Sequence, residues 1–129
     1  MEYALELARG IKSDIPVASV IVKENKIIAF GVNEKEKKQN AIYHAEILAI
    51  KMANKILNNW RLEECEMYVT LEPCPMCAWA IIQSGIKILY FGSCFFIKFI
   101  SSISDSVSLS TTTYSKSTIS LTNLAVFPV

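Results

Sequence analysis

A change of composition at Gly92 constrains the fold of this chain more than any other feature of its sequence. All four glycines lie at or before residue 92, and residues 101–120 hold thirteen serines and threonines against five in residues 1–100. Beyond Phe99 the only charged residues are Asp105 and Lys116. Helix-like and strand-like patterns separated by turn residues are confined to the first part. The expectation is one folded domain over residues 1–92, followed by an atypical Ser/Thr-rich tail over 93–129, either a β-prone appendage or disordered. A chain of 129 residues can bury one core and is too short for two. With 52% hydrophobic residues it is not disordered as a whole, and a net charge of +1 is not that of a strongly basic nucleic-acid binder, which leaves room only for a local basic patch. No apolar run approaches the roughly 20 residues of a membrane helix. The segment Met1–Lys12 carries Glu2 and Glu6 and lacks the apolar stretch of a signal peptide. A cytoplasmic protein without a membrane partner is expected.

Within residues 1–92 the patterns alternate. Residues 2–11 predict an amphipathic helix with Tyr3, Leu7 and Ile11 on its apolar face. Val17–Val22 and Ile27–Val32 are β-branched runs around a Glu24-Asn25 turn, which predicts a hairpin. Lys35–Gln39 reads as a charged, solvated loop. A helix is expected from Ala41 to about Leu57, with Ile47, Ile50, Met52, Ala53 and Leu57 as its apolar face. Met67–Leu71 reads as a strand. Pro75 stands where a helix can begin without losing a hydrogen bond, that helix stops at Gly85, and Ile86–Phe91 is a further strand. The order α-β-β-α-β-α-β implies an α/β fold with a mixed sheet covered by helices.

The chemistry lies in His44-Ala45-Glu46 together with Pro73-Cys74 and Cys77. His44 is the only histidine of the chain. One imidazole and two thiolates are three good zinc ligands, and a fourth tetrahedral position stays open, as in catalytic rather than structural sites. Zinc lowers the pKa of a water in such a position from about 15.7 to roughly 7. Glu46, two residues beyond His44, could reach that water without being a ligand. The thiols flank a helix start, where free N–H groups favour thiolate. Cys65 and Cys94 fall outside the pattern and read as buried free thiols. Each part has a plainer use alone: Glu46 as a first-turn acid, Cys74-x-x-Cys77 as a redox pair. Together, H-x-E and P-C-x-x-C match the signature of zinc-dependent base deaminases.

Residues 1–92 resemble the tRNA-specific adenosine deaminase family, within the cytidine deaminase-like three-layer α/β/α fold. The stretches that carry the resemblance are IPVASVIV, IIAFGVN, HAEILAI, WRLEECEMYVTLEPCPMCAWAI and SGIKILYFG. It implies that His44, Cys74 and Cys77 bind one zinc ion, that Glu46 shuttles protons and that Asn33 touches the substrate base. It also implies conversion of adenosine to inosine at the wobble position of the tRNA anticodon, by a homodimer. Ala41, Ile42 and Tyr43 stand where the family commonly has Pro, Thr and Ala, which places Tyr43 at the border of the pocket. Glu34 follows Asn33 where a basic residue is frequent. Past Gly92 the family's charged loop, further strand and C-terminal helix have no counterpart, so the C-terminal part reads as truncated or aberrant.

Three other readings stand beside this one. A free base or nucleoside deaminase of the guanine or cytosine type shares the H-x-E and P-C-x-x-C core. A thiol–disulfide protein would use the C-x-x-C but leave His44 and Glu46 without a task. A catalytically decayed zinc-binding remnant would keep the metal and lose the reaction.

Overall fold

The computed structural model describes residues 1–92 and the backbone of Ser117–Ser120. Its elements are α1 (Glu2–Arg9), β1 (Ala18–Lys23), β2 (Lys26–Val32), α2 (Lys35–Lys38), α3 (Ala45–Leu57), β3 (Cys65–Val69), α4 (Pro75–Gln83), β4 (Ile88–Phe91) and β5 (Ser117–Ser120). Glu24 and Asn25 both adopt positive φ, 48° and 63°, the backbone that a two-residue hairpin turn matched to strand twist requires. The expected hairpin therefore forms, β1 antiparallel to β2. On its other side β1 pairs antiparallel with β3, which pairs in parallel with β4. The sheet order is β2-β1-β3-β4-β5, mixed as expected, with β5 antiparallel to β4. The other expectations for residues 93–129, including a buried Cys94, lie outside the described residues.

Strand register sorts side chains between the two faces. Ile21 lies opposite Ala29 and Met67, and these join Val69, Leu89 and Phe91 in a core completed by Ala49 and Ala53 of α3 and Ile81 of α4. Val20 lies opposite Phe30 and Tyr68 on the other face, where the Tyr3 ring of α1 meets Phe30 edge-on at 6.4 Å. This gives three layers, α1 on one face and α3 with α4 on the other.

Several expectations need correction. The buried residues of α1 are Ala4 and Ala8, whereas Tyr3 is 40% exposed, because close approach to β1 favours small side chains over the predicted Tyr3-Leu7-Ile11 stripe. On α3 the expected Ile50, Ala53 and Leu57 do pack on the core, but Ala45 and Ala49 are buried as well and Met52 is exposed. This helix starts at Ala45 rather than Ala41, and the preceding residues form a turn in which the Tyr43 N–H donates to Asn40 O. The predicted loop after Asn33 contains the one-turn helix α2. Strand β3 begins at Cys65, two residues before the predicted start, since pairing with β1 runs from Lys23–Cys65 to Ser19–Val69. Gly85, at φ 76°, ends α4 as expected.

On the α1 side of the sheet the Tyr68 ring stacks on Tyr90 at 4.6 Å, and its hydroxyl donates to Glu66 Oε2 at 3.0 Å. Burial, and then this hydrogen bond, push the Tyr68 phenol up to about 12. A raised acid favours the folded state while it stays protonated. Its stabilisation is complete below pH ~10, where an unfolded tyrosine ionises, and is lost as pH rises through the folded value. Alkaline spectrophotometric titration should therefore show a late-ionising tyrosine component that is absent in Tyr68→Phe; an unchanged curve in that variant would place the late component elsewhere.

Candidate active site

Two helix starts build the site. His44 is the extended N-cap residue of α3 (φ −79°, ψ 150°) and Cys74 that of α4 (φ −68°, ψ 166°), with Pro75 as the first helical residue. Neither cap side chain hydrogen-bonds its own helix, so imidazole and thiol are both free to turn toward one another. His44 Nδ1 lies 3.6 Å from Cys74 Sγ and 3.5 Å from Cys77 Sγ. All three donor atoms lie within 4.8 Å of one another. With Zn–N near 2.05 Å and Zn–S near 2.3 Å, a tetrahedral angle separates nitrogen and sulfur by about 3.6 Å. The observed spacing is that of a common zinc ion, so the residues fit the metal that the sequence implied, with Nδ1 as the imidazole donor.

Glu46 lies in the first turn of α3 and is 4% exposed. Burial pushes its carboxyl upward, against a hydrogen bond to Cys77 and the proximity of His44. The Cys77 thiol is fully buried, and burial followed by the neighbouring Glu46 and Cys74 pushes it well above its ordinary range. The helix start alone was expected to favour thiolate; without a cation, desolvation and neighbouring negative charge outweigh it for Cys77. Three acidic groups converging on one point are the electrostatic setting in which a divalent cation binds. One zinc per chain is the expected metal content, and elemental analysis should show it fall sharply in Cys74→Ser and in Cys77→Ser. Full zinc retention in both variants would reject this ligand set.

A cleft of about 600 Å³ opens over this cluster, with Ile15, Asn33, Lys35, His44, Glu46 and Pro73 among its walls. Asn33, 9% exposed, donates from Nδ2 to Ile15 O at 3.2 Å, while its Oδ1 is buried without a partner. A buried acceptor left unpaired costs about 1–3 kcal/mol, which a ligand N–H would recover. The structure thus brings Asn33, His44, Glu46 and Cys74 to one cleft, while Cys77 is fully buried beside His44 and does not line it. Tyr43, expected at its border, is not among the lining residues; its main-chain oxygen accepts from Glu34 N–H instead. Sequence reasoning missed Ile15 and Lys35 as walls, because the loop before β1 and the turn after β2 meet only through the hairpin.

Residues 1–93 match the family described as cytidine and deoxycytidylate deaminase zinc-binding region. The chain belongs to this family. Among its curated relatives, the tRNA-specific adenosine deaminase of Rickettsia bellii is 50% identical over 84 residues, covering 64% of this chain and 58% of the relative. That of Bacillus subtilis is 46% identical over 82 residues, covering 64% and 51%. The chain thus spans little more than half the length of these relatives. A solved structure from work on A-to-I editing by tRNA:A34 deaminases at the wobble position of transfer RNA superposes with a TM-score of 0.70 at 41% identity, covering 73% of this chain and 74% of that one. Guanine deaminase from Bacillus subtilis superposes with a TM-score of 0.72 at 33% identity, covering 81% and 69%. Membership in a zinc-binding deaminase family agrees with the donor spacing and leaves the redox reading of Cys74 and Cys77 without support.

Proposed function

We propose that the chain catalyses zinc-dependent hydrolytic deamination of adenosine to inosine at the wobble position of tRNA anticodons, with residues 1–92 as the catalytic domain. The observation that carries this reading is the buried Glu46 carboxylate beside the His44–Cys74–Cys77 triangle at a cleft wide enough for a base. The names of the relatives at 46–50% identity point to the tRNA substrate. In this reading His44, Cys74 and Cys77 hold the metal, and bound zinc supplies a Lewis acid that makes hydroxide available near neutral pH. Glu46 would take one proton from the attacking water and pass it to the ring nitrogen of the base, then carry the remaining hydroxyl proton to the C6 amine, whose C–N bond breaks to release ammonia. Asn33 Oδ1 accepts a hydrogen bond from the base, and the tie to Ile15 O holds that acceptor in place.

An anticodon loop presents unpaired bases, so drawing one into the cleft costs little. Among the described residues no helix is long and apolar enough to cross a membrane, and a tRNA substrate agrees with a cytoplasmic location. Met76 and Trp79, 38% and 63% exposed on α4, give that helix an apolar outer face and support a homodimer. Incubation with an anticodon stem-loop and, separately, with free guanine, cytosine and cytidine decides the substrate. Inosine formation in the stem-loop is expected. Turnover of a free base or nucleoside alone would transfer the protein to that class, and full zinc without any turnover would mark a decayed remnant.

A further inference from the structure

Asp14 precedes β1, far in sequence from any ligand of the metal, yet its carboxylate reaches across to α2. Glu36 N–H donates to Asp14 Oδ1 at 2.8 Å and Lys37 N–H to Asp14 Oδ2 at 3.1 Å. The next residue, Ile15, accepts the Asn33 amide through its carbonyl, and Val17 O accepts Asn33 N–H at 2.9 Å. Residues 14–17 therefore grip residues 33–37 at four points, and Ile15, Val17, Asn33 and Lys35 of these two segments all line the cleft. A four-residue helix has too few internal hydrogen bonds to hold itself. None of its residues is buried, and no side chain at its own N-cap, Glu34, caps it. What fixes α2 against the cleft must come from outside the helix: the Glu34 N–H on Tyr43 O holds its N-cap, and the Asp14 carboxylate is the side chain that holds two amides of the helix itself.

We propose that Asp14 is a positioning residue for substrate binding: by capping α2 from the loop before β1 it holds Asn33 and Lys35 in the cleft wall. This rests on the functional reading above. A contact made equally in ground and transition state changes KM and leaves kcat alone. In the full chain, Asp14→Ala should raise KM for the anticodon stem-loop about ten-fold with kcat within about two-fold of the parent, the scale of a lost helix cap. Zinc content should be unchanged. Asp14→Asn keeps one acceptor oxygen and should recover part of the loss. Independently of activity, amide hydrogen exchange should accelerate at Glu36 and Lys37 in Asp14→Ala and stay at the parent rate along α3. An unchanged KM, unchanged exchange at those two amides, or a parallel loss of zinc and kcat would each overturn the proposal. If the parent chain acts on a free base but not on the stem-loop, the substrate reading falls alone; exchange, and KM for that base, still read the role of Asp14.

Discussion

Glu46→Ala should abolish deamination while zinc and fold stay in place. A positioned general acid–base contributes about 10²–10⁴ in rate, and Glu46 is the only carboxylate both buried and adjacent to the metal ligands among the described residues. A fall in kcat of at least about 10³ is expected for the alanine variant, and a similar fall for Glu46→Gln, which keeps the shape but cannot accept the proton. Metal content and circular dichroism should match the parent, since Glu46 offers nothing to the zinc triangle that His44, Cys74 and Cys77 do not complete. A variant that lost zinc but kept turnover would reverse the assigned roles.

Gly31→Ala should be the most destabilising single methyl that can be added to the sheet. A Cβ at Gly31 would collide with Ala45 O, and would stand 2.7 Å from Ala49 N and 3.0 Å from the Leu48 Cβ. The first two are backbone atoms of α3 and cannot swing aside as a flexible side chain can. Overpacking costs about 1–3 kcal/mol where neighbours adjust, and this site should lie at or above the upper end. Because α3 carries His44 and Glu46 on its first turn, lifting it from β2 also moves imidazole and carboxylate away from Cys74 and Cys77. Denaturant unfolding should show a lower midpoint at unchanged slope, and zinc affinity should fall with it. A Gly31→Ala variant with parental midpoint and zinc affinity would show that the helix can ride higher without harm.

The same close approach explains what was legible beforehand. The metal site could be read because its chemistry resides in residue types and short spacings: one histidine, a glutamate two residues on, and two cysteines three apart after a proline. The hairpin could be read because Glu24-Asn25 supplies a local turn between two β-branched runs. The apolar face of α3 was legible in part: Ala53 is buried and Ile50 and Leu57 pack on the core as expected, whereas Met52 advertised hydrophobicity more strongly than the buried Ala45 and Ala49. The alanines are buried because β2 offers Gly31 and Ala29 beneath them, and that fact belongs to the pairing of helix with strand. The cap from Asp14 onto α2 was equally hidden, since its partners lie 22 and 23 positions away. Local chemistry is written locally; contacts set by topology are not.

The position of the ligands along the chain also sets an order of assembly. Cys74 and Cys77 lie within one helical turn, so they stay neighbours even in an unfolded chain. His44 is 30 residues from Cys74 in sequence, and in the folded chain the two are brought together by the pairing of β3 with β1 and the docking of α3 on the hairpin. Closing so long a loop is a late, entropically costly event. Capture of the third donor thus reports completion of the sheet rather than its beginning. A contact absent from the folding transition state slows unfolding and leaves refolding untouched. On this order bound zinc would be a latch and not a seed: a chelator should shorten the lifetime of the folded chain without delaying its return.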